Sequence, residues 1–207
     1  DYIVVMHLSE DSGSFLKNSK DGNASWMKIT GTPNWMWGIY GKALNLSTIA
    51  GVNQSAKSTD NSYVLNASWT TEFFINANGV SANRVHLSKL SSRGVSNYGM
   101  ITGQKGGASA GCFNGNSVWN AQMALPNDLL AVWYSYICTS TNGIASSTKV
   151  YQNKTPGTNT AGSGGSDGDI VQGDWALGYL EGATTWGNAA YDEVRYSRVI
   201  RSLTWIN

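Results

Sequence analysis

Leu129-Leu130-Ala131-Val132-Trp133-Tyr134-Ser135-Tyr136-Ile137-Cys138 is a nearly continuous apolar run. Asn142-Gly143 follows it, and Ser147 to Asn153 runs back. Such a run reads as a central strand. Asn-Gly tolerates the positive φ that a two-residue hairpin demands, so the return segment reads as the partner strand. The same grammar extends outward. Tyr2 to Leu8, Ala43 to Leu46, Val118 to Leu125, Ile170-Val171, Trp175 to Leu180 and Ala189 to Tyr196 read as short strands. In Trp69 to Ile75 the alternation places Trp69, Thr71, Phe73 and Ile75 on one face. No segment sustains a helical period over about 11 residues. Many short strands between glycine-rich turns predict an all-β sandwich or barrel. No internal repeat occurs. The glycine- and serine-rich stretch within Gly157 to Asp169 reads as a loop, so the chain is read as one domain over 1–207.

Composition narrows the function classes. The 207 residues carry 13% charged side chains and a net charge of +1, which gives no basic field for a nucleic acid backbone. No apolar stretch approaches the roughly 20 residues needed to cross a bilayer, so membrane insertion is not expected. No signal peptide is visible. The chain opens on Asp1, which suggests a mature or excised piece of something longer.

Catalytic sets are scarce in the sequence. No strand carries two carboxylates at alternate positions, where they would share a face as a glycosidase pair. Asp167 and Asp169 alternate, but in the glycine-rich loop. His7 and His86 each lie in a strand-like run and read as hydrogen-bonded strand histidines. No Gly-x-Ser-x-Gly elbow surrounds a nucleophile. The chain is therefore expected not to be an enzyme. Cys112 and Cys138 fit no zinc spacing; a disulfide in a secreted chain and buried free thiols both remain open. Sequons stand at Asn23, Asn45, Asn53, Asn66 and Asn153, about as many as chance supplies in so Asn-, Ser- and Thr-rich a chain.

Aromatic residues are the notable surplus, with 9 Trp and 10 Tyr. Carbohydrate recognition uses aromatic faces against sugar C–H groups and short polar side chains for hydroxyls. Trp26, Trp35, Trp37, Trp119 and Trp186 lie in or beside loop-like segments and are the candidate ligand-binding residues. Trp69, Trp133, Trp175 and Trp205 lie in apolar segments and are expected in the core.

Tyr191-Asp192-Glu193-Val194-Arg195-Tyr196-Ser197-Arg198-Val199-Ile200-Arg201-Ser202-Leu203-Thr204-Trp205-Ile206 resembles the closing motif of the laminin-G-like, concanavalin A-like jelly-roll family, as found in archaeal and bacterial surface proteins. Met6-His7-Leu8-Ser9-Glu10 is similar to its opening strand. Asn18-Ser19-Lys20-Asp21-Gly22-Asn23 is similar to its Asp-Ser-x-Gly-Asn loop, Gly41-Lys42-Ala43-Leu44-Asn45-Leu46 to its Gly-Lys-Ala-Leu strand, and Trp175-Ala176-Leu177-Gly178 to its penultimate strand. The chain departs from the pattern at Asn18, at Asn153-Lys154 where Asn-Gly is usual, and over Ser91 to Gly115. The resemblance implies an antiparallel two-sheet jelly roll at the cell surface or outside the cell. It also implies a structural calcium at Asp192, with Asp21 and Asn18 as further ligands. The glucanase members' catalytic strand of alternating carboxylates has no counterpart here.

The sequence therefore predicts a non-catalytic module whose partner is a carbohydrate or glycoconjugate. The second reading is a structural or adhesive subunit whose partner is another copy of the chain, with Tyr2 to Leu8 available to extend a neighbour's sheet.

Overall fold

The computed structural model describes residues 2–46, 54–59, 68–78, 84–90, 99–105, 109–114, 119–124, 131–141, 144–157, 174–178, 187–202 and 204. Among them are strands β1 (Tyr2–Met6), β2 (Phe15–Asn18), β3 (Asn23–Thr30), β4 (Asn34–Trp37), β5 (Lys42–Asn45), β6 (Ser55–Ser58), β7 (Ser68–Ala77) and β8 (Arg84–Leu90). There follow β9 (Gly99–Lys105), β10 (Ser109–Asn114), β11 (Trp119–Ala124), β12 (Trp133–Thr141), β13 (Ile144–Gln152), β14 (Thr155–Pro156), β15 (Trp175–Leu177) and β16 (Ala189–Ser197). One sheet runs β14-β13-β12-β7-β16-β5-β4, with β1 also beside β16. The other runs β11-β10-β9-β8-β15-β6-β3-β2. Every pairing is antiparallel among the described residues. The fold is an all-β jelly-roll sandwich, as the turn-and-strand grammar and the resemblance both implied.

The apolar run that led the sequence reading lies between β13 and β7, as a central strand should. It begins later than the sequence suggested. Ala131 takes φ +60° and Val132 is exposed, so extended pairing starts only at Trp133. Trp133 is half-buried rather than core. Asn142-Gly143 lies outside the described residues, but Thr141 pairs with Ile144 on either side of it. Asn153 and Lys154 link β13 to β14, both with positive φ (47° and 65°). This is the backbone of a primed two-residue turn. Lysine holds the position where glycine is unstrained.

The two inner faces enclose one aromatic core. Phe73 stacks on Tyr136 at 5.2 Å. Trp175 packs on Tyr196 at 4.8 Å and on Trp26 at 6.3 Å. His86, from β8, sits edge-on to Tyr136 and Tyr191 of the opposite sheet, its Nδ1 2.9 Å from the Tyr191 hydroxyl. It is thus the hydrogen-bonded strand histidine expected. Each fully buried aromatic side chain contributes about 1.5–3 kcal/mol. Trp69 and Trp175 are core, as predicted. Trp205, Trp186, Ile170-Val171 and the stretch 158–173 lie outside the described residues.

Cys112 of β10 and Cys138 of β12 form a disulfide, their Cα atoms 6.1 Å apart. It joins the two sheets across the core and closes the choice the sequence left open. Removing it frees the unfolded chain from a loop of 26 residues' separation. Replacing both cysteines by serine should therefore cost about 3 kcal/mol, read as a lower urea midpoint, with a somewhat steeper slope because the freed unfolded chain is less compact.

Candidate functional site

The site is built on the outer face of the first sheet, opposite the core. It begins with an irregularity in β16. Asp192 pairs with Phe74 and Arg195 with Glu72, so three steps on β16 match two on β7. The extra residue is a β-bulge, and Glu193 carries it with φ +51°. Strict alternation would have sent Asp192 and Arg195 to opposite faces. The bulge instead sets both beside outward-facing β7 residues, while Tyr191, Val194 and Tyr196 remain in the core.

A cavity of about 270 Å³ opens on this face. Glu72, Phe74, Ser135, Ile137, Glu193 and Arg195 line it, with the Asn153-Lys154 turn at one side. The Arg195 guanidinium bridges two carboxylates: Nη1 donates to Glu72 Oε1 at 3.0 Å and Nη2 to Glu193 Oε2 at 2.8 Å. The Tyr2 hydroxyl, delivered by β1, donates to Glu72 Oε1 at 2.6 Å. His7 Nδ1 lies 2.7 Å from Glu193 Oε1. His7 follows β1 rather than lying within it, which corrects its reading as a strand histidine. Burial works against the Arg195 charge, but its bonds to Glu193 and Glu72 outweigh this and hold its pKa above the usual arginine value. Burial, reinforced by Glu72, likewise pushes the Tyr2 phenol up, so it remains a donor. Glu72 is 6% exposed, and its second oxygen, Oε2, has no hydrogen-bond partner among the described residues.

An aromatic wall adjoins the cavity. Tyr40 meets Phe74 edge-on at 5.7 Å. Tyr40 belongs to the turn between β4 and β5, closed by a bond from Gly38 N–H to the Gly41 carbonyl. Asp192 Oδ2 pins that turn by accepting from Ile39 N–H at 2.7 Å and Tyr40 N–H at 3.0 Å. Gly38 is required at this approach, because a Cβ there would strike the Asp192 carboxylate and the Ala43 side chain. Trp37, Ile39 and Tyr40 are consequently presented to solvent, Trp37 at 74% exposure. Lys42 Nζ lies 4.8 Å from the Trp37 ring centre, a cation–π contact.

The predicted site residues separate. Trp37 is exposed beside the wall. Trp35, two residues earlier, packs against the core instead. Trp26 lies in β3, not in a loop, and is wholly buried beside Trp175, so it presents no face to a ligand. Trp119 begins β11, but its side chain, like all of Trp186, lies outside what is described. The residues expected to hold calcium each make hydrogen bonds to the protein. Asn18 accepts from Val5 and Lys20 N–H and donates to the Ile3 carbonyl. Asp21 is exposed and accepts from Asn23 N–H in a local turn. Asp192 holds the β4–β5 turn. Among the described residues no three His, Cys, Asp or Glu side chains gather as a metal site. Glu72, Phe74, Tyr40, Glu193 and Arg195 escaped the sequence reading, which sought carboxylates along single strands and not across neighbouring ones.

No protein-family model matches the sequence, and no curated protein does. Solved structures do resemble the fold. Domain 4 of AbnA, a GH43 extracellular arabinanase from Geobacillus stearothermophilus solved with arabinotriose, has a TM-score of 0.69 at 15% identity, over 95% of this chain and 91% of that one. A Trypanosoma rangeli sialidase mutant displaying trans-sialidase activity gives 0.65 at 12% identity, over 98% of this chain and 31% of that one. Botulinum neurotoxin type C, whose cell entry depends on two ganglioside molecules, gives 0.64 at 11% identity, over 100% of this chain and 50% of that one. The chain thus spans a third to a half of the sialidase and toxin chains. At these identities the likeness establishes the β-sandwich fold.

Two substitutions test the electrostatics. Arg195→Met leaves two carboxylates without their counter-charge; because Arg195 keeps 24% of its side chain exposed, the loss should be about 2 kcal/mol, below that of a fully buried pair. It would be read by urea denaturation. Burial pushes the Asp192 carboxyl above the ordinary carboxylate range, against the lowering effect of its bonds from Tyr40 and Ile39. A carboxyl raised on folding contributes stability below its unfolded pKa and loses it as pH climbs through the folded value. Asp192→Asn keeps an acceptor without the charge. Its melting temperature, relative to the parent's, should therefore rise as pH increases from about 4 towards neutrality.

Proposed function

We propose that this chain is a non-catalytic carbohydrate-binding module, laminin-G-like across 1–207, that works outside the cell or on its surface. The observation that carries the reading is the outer-face cavity, where Phe74 supplies ring surface, with Tyr40 edge-on to it alongside, while Glu72, Glu193, Ser135 and Asn153 supply polar groups. Sugar sites combine these two elements. The structural neighbours solved with arabinotriose, or described as depending on gangliosides, support the same class of partner. The inter-sheet disulfide suits an oxidising compartment.

The absence of catalysis rests on a geometric argument. Glu72 and Glu193 do share a cleft, as a glycosidase pair would. Arg195 lies between them and bonds to both, occupying the space a scissile bond would need. The self-assembling reading has less support. Tyr2 to Met6 completes its own sheet beside β16, and its second edge is closed where Val5 bonds to Asn18 and Ser19.

Ring stacking of this kind is worth about 0.5–1.5 kcal/mol, up to roughly tenfold in affinity. Tyr40→Ala, and to a lesser degree Trp37→Ala, should weaken glycan binding by up to about that factor in isothermal titration. Both are exposed, so the melting temperature should barely move. Unchanged affinity in both variants would place the ligand elsewhere.

A further inference from the structure

The strand with an open edge is not β1 but β4. It is the last strand of the first sheet, bonded to β5 on one side and to no strand on the other among the described residues. In an antiparallel pair, residues whose backbone groups bond to the neighbour alternate with residues whose groups point away. Gly38 N–H bonds to the Gly41 carbonyl, and the register of β4 on β5 runs on regularly from there. Met36 thus bonds to Ala43 and Asn34 to Asn45. The N–H and C=O groups of Trp35 and Trp37 point outward along the free edge.

Such an edge recruits another strand unless something blocks it. The other end strands are protected. β14 is two residues long and ends in Pro156, which has no N–H to offer. At β2 the Lys17 N–H is taken by Glu10 Oε1 at 3.0 Å, and Ser19 N–H bonds to the Val5 carbonyl of β1 at 2.7 Å. β11 runs close against β13 of the other sheet, where the sandwich closes on itself. β4 carries no such device. It has no proline, no bulge and no charged side chain, and the sequence is uncharged from Ile29 to Gly41. Trp37, at its end, is 74% exposed.

The geometry suits a second copy of the same strand. Trp35 and Trp37 stand one residue either side of Met36. A copy of β4 running antiparallel about a two-fold axis through Met36 sets Trp35 opposite Trp37 of the second copy, and Trp37 opposite its Trp35. These are the residues with outward backbone groups, so each facing pair exchanges two hydrogen bonds. The exposed Trp37 ring gains an aromatic partner across the strands, a favourable pairing. An uncharged strand meets no like charge in its own copy.

We propose that β4 is a homodimerisation edge, which joins two copies of the chain through Trp35, Met36 and Trp37 into one continuous sheet. The two-fold axis stands perpendicular to that sheet, so both outer faces, with their cavities, look to the same side. The dimer does not require the carbohydrate-binding reading; on that reading, it presents two sites to one glycan-bearing surface and gains avidity. Pairing along so short a strand buries less than about 1,200 Å², the range of weak and transient complexes.

Sedimentation equilibrium on the intact chain, with no sugar present, tests the dimer separately from the carbohydrate reading. The weight-average mass should rise from monomer to dimer with a midpoint at about 10–100 µM. Met36→Lys sets two ammonium groups face to face on the axis and should weaken the dimer about tenfold or more. Met36→Cys should give a disulfide-linked dimer under copper–phenanthroline oxidation, because facing residues on the axis lie about 4.5 Å apart at Cα. The two native cysteines are already joined, so no other thiol competes. Val132→Cys, exposed beside β12, should stay monomeric under the same oxidation. A chain still monomeric at about 1 mM would overturn the proposal. So would Val132→Cys cross-linking as well as Met36→Cys, or Met36→Lys dimerising like the parent. The unaltered protein and Met36→Cys carry the test if Met36→Lys fails to fold.

Discussion

One extra residue in β16 governs the outer face of the first sheet. Without the bulge at Glu193, strict alternation would face Asp192 and Arg195 in opposite directions, and one of them would point into the aromatic core. With it, Asp192, Glu193 and Arg195 are all presented beside Glu72 and Phe74. The local cost is a non-glycine residue with positive φ. The bulge persists because the surroundings fix it from several directions. Glu193 bonds to His7 and Arg195, and β16 is paired with β7 on both sides of the irregularity.

The same point is where the neighbours of β16 change. Its first residues pair with β5 and its last with β1. Asp192 sits at the join and reaches the turn that follows β4, so the position of Tyr40 is tied to the register of the closing strand. Tyr2, at the opposite end of the chain, is tied to Glu72. Ends of the sequence that are far apart thereby build one surface. The inter-sheet disulfide and the Phe73–Tyr136 stack hold the layer beneath it.

Much of the fold was legible in the sequence because period-2 alternation is a local signal. Trp69, Thr71, Phe73 and Ile75 are all buried, as their spacing requires. The core places of Trp69 and Trp175 followed from apolar neighbours in the chain. Trp26 was misplaced for the same reason in reverse: Asn23, Ser25 and Lys28 make its segment look like a loop, yet β3 is paired on both sides by β2 and β6. Polar neighbours on the outer side of a strand say nothing about the residue on its inner side. Trp35 and Trp37 stand two residues apart on β4, yet Trp35 packs against the core and Trp37 is exposed, a difference that local spacing does not contain.

Taken by itself, the sequence determined an all-β sandwich, a core rich in aromatics, and a chain without a carboxylate ladder on any one strand. These follow from local periodicity, turn chemistry and composition, each readable within a few residues. Only the tertiary structure decided that Glu72 meets Glu193 across Arg195, that Cys112 meets Cys138, and that Asp192 holds the turn after β4. Those pairings depend on which strands lie side by side and on a single bulge. Strand order and register are set by the packing of the whole core, which no stretch of sequence contains.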